Sequence, residues 1–197
     1  FKDGELRRAG KGDLVVVLGD FGFVWDGSKA EQKNLDWLRK RPYTILFLDG
    51  SHENYDLLEQ YPTEERFGGL EGKKYLCFGG AESPDKEERE AHVNWWPQEM
   101  PSDEEYARCE AALEANGWQV DYVLTHDAPS KFLDFSVLAE GENNRLHLFL
   151  DKVVMKTTYE KWFFGCHHKD VQLSTKSRCL FCDVVSIGEK KPWWKRR

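Results

Sequence analysis

The chain lacks any long apolar run. Its longest, residues 14–18 and 44–48, fall far short of the roughly 20 residues that a membrane helix needs. No leader with a charged start and an apolar middle opens it, so no secretory signal is read. Positive charge is not in excess: 28 Lys and Arg stand against 35 Asp and Glu, a net of -7. That argues against a broad basic face for duplex nucleic acid and leaves room only for a local anion site. Cysteine is sparse and odd in number, five in 197 residues. Such a set reads as reduced thiols of a cytoplasmic protein rather than a disulfide framework. There is no internal repeat and no low-complexity block. There is also no initiator Met, and a chain opening at Phe1 is expected to be processed or a fragment.

Against these absences stand 40% hydrophobic residues, eight Trp, seven Tyr and twelve Phe. A chain of this size buries roughly 70% of its unfolded surface, so a packed core is expected and wholesale disorder is excluded. The length suits one domain. We take residues 1–188 as that domain and 189–197 as a basic tail holding Trp193 and Trp194. The tail combines charge and aromatics, which suits nucleic acid or a membrane surface, but a solvated tail is the simpler reading.

Apolar β-type runs alternate with helical patterns, which predicts an α/β layered domain. Strands are expected over 14–18, 43–48, 74–78, 120–124, 159–164 and 178–187. Helices are expected over 29–40, 54–60, 102–116 and 144–156. Ser28 with Glu31 and Ser102 with Glu105 have capping-box spacing, and Gly117 stands where a helix ends. Residues 81–101 are polar and contain Pro, Trp95 and Trp96. They read as a long surface excursion, either a substrate wall or a flap whose tryptophans pack on the core edge.

Four predicted strands end alike. Residues 15–18 run into Gly19-Asp20, 45–48 into Asp49-Gly50-Ser51-His52-Glu53, 122–124 into Thr125-His126-Asp127, and 162–164 into Gly165-Cys166-His167-His168. In layered α/β folds ligands sit outside the carboxyl ends of strands. Asp20, His52, His126 and His168 are therefore expected at one crevice. Carboxylate plus imidazole is a ligand set for Zn, Mn, Fe or Ni, and glycines beside the ligands let the backbone come close. Each residue alone has a plainer reading, a turn Asp or a hydrogen-bonded core His. The joint pattern needs a separate coincidence for each. Cys179 and Cys182 form a CxxC, but residues three apart on a strand face opposite ways, so this pair reads as buried thiols rather than a zinc site.

The ordered set Gly19-Asp20, Gly50-Ser51-His52-Glu53, His126 and Gly165-Cys166-His167-His168 resembles the motifs of calcineurin-like metallophosphoesterases: GD, GNHE, a single His, and GHxH. Residues 18–26, 49–54, 78–86, 95–99 and 125–129 resemble a bacterial and prophage-type branch of that family. The resemblance covers roughly residues 12–187. It implies a two-sheet β-sandwich flanked by helices, in four αββα layers, and a hydrolase of phosphomonoesters or phosphodiesters. It implies two divalent metal ions, Mn, Fe or Zn. Asp20 would bridge them, His126 would hold the second, His168 the first, and Cys166 would stand in for a His ligand. His52 would be the catalytic acid. The family's first motif, Asp-x-His on a preceding strand, is absent, as an N-terminal truncation would leave it. Ser51 replaces the Asn of GNHE. These departures also fit a second expectation, a catalytically impaired descendant that serves as a binding or scaffold module.

Overall fold

The computed structural model describes residues 6–63, 72–133, 138 and 143–187. The chain is mixed α/β, with two separate sheets. Strands β1 (Leu14–Val17) and β2 (Thr44–Phe47) pair in parallel. The second sheet has β3 (Tyr75–Phe78), β4 (Tyr122–Thr125), β5 (Lys161–Phe164), β6 (Val171–Gln172) and β7 (Ser177–Cys179). Its order is β3-β4-β5-β7-β6, parallel throughout except for the antiparallel β6–β7 pair. Within each sheet the parallel strands release their carboxyl ends on the same side. The crossover α/β pattern requires this.

Helix α1 (Lys29–Arg39) starts where Ser28 Oγ accepts the Glu31 amide at 3.1 Å. Only half of the expected box forms. The Glu31 carboxylate instead accepts the amides of Trp25, Asp26 and Gly27, and so ties the preceding loop to the helix. The short α2 (Tyr55–Leu58) is capped by Asn54. In α3 (Asp103–Ala115) the Ser102–Glu105 box is complete, and Gly117 follows with φ +64°. Helices α4 (Ser130–Leu133) and α5 (Arg145–Lys156) follow β4, with Asn144 capping α5.

The larger core lies between α3, α5 and the five-stranded sheet, around Leu113, Leu146, Leu150, Trp162 and Phe164. Its buried indole is satisfied, since Trp162 Nε1 donates to Thr125 Oγ1 at 2.9 Å. A smaller core joins α1 to β1 and β2 through Phe21, Val24, Leu35 and Leu38. There Phe21 stacks on Phe47 at 4.4 Å. Among the described residues no helix is long and apolar enough to cross a membrane.

The expected strand 178–187 is cut short. Strand β7 stops at Cys179, and an unexpected short strand, β6, forms between β5 and β7. The cause is Asp170, whose carboxylate accepts the amides of Phe181, Cys182 and Asp183 at 2.7–3.0 Å. Those donors are drawn into a loop and cannot join a ladder. Cys179 is buried as expected, whereas Cys182 lies on that loop and is exposed. The excursion 81–101 is anchored rather than loose. Buried Glu99 accepts Ser83 N and Oγ at 2.7 and 2.6 Å. Trp96 is buried against Trp25 and donates to Asp56 at 2.8 Å. The basic tail lies outside the described residues.

Candidate metal centre

The carboxyl ends of both sheets meet at His126. This residue follows β4, is fully buried, and its Nδ1 lies 2.6 Å from the carbonyl oxygen of Leu18, just past β1. A carbonyl can only accept, so Nδ1 carries a proton, and in the neutral ring Nε2 is left with a lone pair. That Nε2 is buried without a hydrogen-bond partner and faces Asp20 Oδ1 at 3.3 Å. Two acceptors at this separation repel unless a proton or a cation stands between them.

Backbone sterics make this approach possible. A β-carbon on Gly19, whose φ is +84°, would lie 2.8 Å from His126 Cβ and closer still to the ring. One on Gly50 would fall 2.6 Å from Asp20 N and 2.8 Å from His126 Nε2. Glycine is therefore required at both positions. The second sheet edge closes in the same way, with Gly80 N donating to Asp49 O at 3.0 Å.

Asp20 itself has φ +49°, in the left-handed region. Its Oδ1 accepts the His52 amide at 2.9 Å, and Oδ2 lies 3.2 Å from His52 Nδ1. Burial pushes the Asp20 carboxyl up, but the His52 hydrogen bond, the charge at His126 and the His52 amide outweigh it and hold it down at about 2. The same hydrogen bond to Asp20 raises His52, against partial desolvation. The His52 side chain is half exposed, and Ser51 Oγ lies 3.1 Å from its Nδ1. Asp20, His52 and His126 are thus brought together as the sequence predicts.

The loop after β5 divides its residues. Cys166 (φ +61°) is half-buried, and burial together with the Asp127 and Asp20 charges pushes its thiol up. His167 turns inward, with Nε2 3.3 Å from Asp127 Oδ1. His168 (φ +50°) is exposed, with its ring 5.1 Å from that of Phe181. Among the described residues no ion pair joins His168 to Asp20. Among the described residues, three of the five non-glycine residues with positive φ are therefore Asp20, Cys166 and His168. Each such conformation costs roughly 1–3 kcal/mol, and such strain clusters at functional sites.

Three acids near the centre, Glu53 and Asp127 buried and Asp49 half-buried, were not given roles by the sequence. Glu53 accepts the Phe21 amide at 2.7 Å, and burial pushes its carboxyl up to about 8. Asp49 is also raised by burial, with the Tyr55 hydroxyl 3.2 Å from its Oδ2. Asp127 accepts from His147 Nε2 at 2.8 Å. Desolvation opposes its charge, but His147 and His167 overcome that and hold it well below the ordinary range. The available signal was adjacency, since each acid is next to or one residue from a motif His or Gly at a strand end. Comparison with family models, curated proteins and solved structures finds no match to this chain.

Proposed function

We propose that this chain is a metal-dependent phosphoesterase, acting on a phosphomonoester or phosphodiester in a cytoplasmic compartment where its free thiols stay reduced. On this reading the two sheets are those of a metallophosphoesterase-type αββα sandwich. The observation that carries it is His126 Nε2, buried without a hydrogen-bond partner 3.3 Å from Asp20 Oδ1. These donors fit a hard or borderline divalent cation such as Mn, Fe or Zn. Held by these residues, a cation would lower the pKa of water from roughly 15.7 to about 7 and would supply hydroxide at neutral pH.

The chain's own residues do the rest. Asp20 and His126 would hold the cation, and the Leu18 carbonyl keeps a proton on His126 Nδ1. Such outer partners typically matter about 10–100-fold in affinity or activity. Asp20 favours the protonated form of His52 through Nδ1, which leaves Nε2 to deliver a proton to the leaving oxygen. A positioned acid of this kind contributes about 10²–10⁴ in rate.

A second reading is favoured by one observation. His168, the residue implied to hold the first ion, is exposed against Phe181. A protein in which that position is lost serves as a binding or scaffold module. Metal analysis and turnover of an aryl phosphodiester with and without Mn²⁺ separate the two readings. Hydrolysis with bound metal, abolished in Asp20→Ala and His126→Ala, supports the enzyme. A chain with no stoichiometric metal and no turnover overturns it.

A further inference from the structure

One cluster beside this centre has no role in it. Donor atoms of Asp127, Cys166 and His167 all lie within 4.8 Å of one another. Asp127 is held on both oxygens. Its Oδ1 accepts the Ala128 amide at 2.7 Å and its Oδ2 accepts from His147 Nε2 at 2.8 Å. The direction of the second bond is fixed, because His147 Nδ1 accepts the Asn144 amide at the start of α5. A carboxylate oriented by a histidine N–H and a backbone amide is a pre-set ligand. His167 offers the complementary feature. Its Nε2 is buried, has no hydrogen-bond partner, and stands 3.3 Å from Asp127 Oδ1.

The third donor is a sulfur. Cys166 sits on a loop pinned at several points. Gly165 N donates to His126 O at 2.9 Å, His167 N to Gly165 O at 2.7 Å, and Leu180 N to Phe164 O at 2.8 Å. The left-handed φ of Cys166 is kept despite its strain. One thiolate, one imidazole and one carboxylate suit a borderline-soft ion, not Mg or Ca. Metal bonds of about 2.0–2.3 Å put tetrahedral ligands about 3.3–3.8 Å apart. From a spread of 4.8 Å the trio therefore needs to draw in by about 1.0–1.5 Å at most, and it leaves a fourth position open.

We propose that Asp127, Cys166 and His167 form a binding site for one thiophilic divalent cation of the Zn²⁺ class, separate from the Asp20–His126 pair. The assignment does not rest on the phosphoesterase reading. It takes Cys166 away from the Asp20 centre and makes His167, not His168, the functional histidine of the loop.

The test is titration of the chelator-stripped full chain with Co²⁺, followed by competition with Zn²⁺. Thiolate-to-cobalt charge-transfer absorption in the near ultraviolet reports the sulfur ligand directly. The expected result is one such site per chain, absent in Cys166→Ser, weakened at least about tenfold in His167→Ala, and retained in Asp20→Ala. Zn²⁺ should also slow alkylation of Cys166 while leaving exposed Cys182 reactive, a readout that needs no variant to fold. Absence of both the band and the protection overturns the proposal. So does a band that Asp20→Ala abolishes and His167→Ala leaves intact, since the thiol would then serve the Asp20–His126 centre. Turnover lost in Asp20→Ala with the band retained would leave both sites standing.

Discussion

Gly19→Ala tests whether backbone approach at the end of β1 sets the His126 ring. Two penalties are expected. The first is conformational. At φ +84° a β-carbon costs about 1–2 kcal/mol. The second is steric, because the new carbon would lie within bonding-type distances of the His126 ring and must push it off Leu18 O. Loss of that buried hydrogen bond costs about 1–3 kcal/mol. The sum is about 2–5 kcal/mol, read as a fall in the urea midpoint of the metal-free chain at constant m-value. The same substitution in a His126→Ala background separates the two. There the ring is gone, the β-carbon at position 126 remains 2.8 Å away, and mainly the conformational part is left. A double-mutant cycle should give a coupling of about 1–3 kcal/mol. If Gly19→Ala costs the same in both backgrounds, the glycine serves the turn alone and the steric account of the centre is wrong.

Glu53→Gln should stabilise the metal-free protein at high pH. Burial raises this carboxyl from the ordinary 4.5 to about 8. Between those values the unfolded chain ionises and the native one does not, so the wild type loses up to about 5 kcal/mol as pH rises through the window. The Gln variant's advantage in urea unfolding should be absent below pH 4.5 and reach a few kcal/mol by pH 8. An advantage equal at both ends refutes the assignment. Asp170→Ala should free the amides of Phe181, Cys182 and Asp183, seen as faster hydrogen exchange there with β5 unchanged. Unchanged exchange at these three amides would mean that the loop holds itself.

Much of the secondary structure was legible because its signals are local. Ser28, Asn54, Ser102 and Asn144 each cap a helix through a bond three residues along the chain. The runs at 14–17 and 44–47 form strands because their apolar residues have nowhere else to go. The strand after Cys179 was not legible. Its apolar composition suits a ladder, but a carboxylate eleven or more residues earlier takes its donors. Glu31 likewise looks like a helix-capping residue by spacing and spends its oxygens on the loop before the helix.

By itself the sequence determined which chemistry lies at the strand ends: Asp20, His52, His126 and the Gly165–His168 loop, each beside a glycine or an acid. Strand termini and small residues are encoded in a few neighbouring positions, so they can be read directly. Only the tertiary structure decided which donors point where. The His126 tautomer depends on Leu18, 108 residues away. The orientation of Asp127, just past β4, depends on His147, 20 residues on in α5. The turn that sends His167 in and His168 out depends on how the loop after β5 is pinned to its neighbours. Hydrogen-bond direction is a property of the pair, and no pattern along one chain segment carries it.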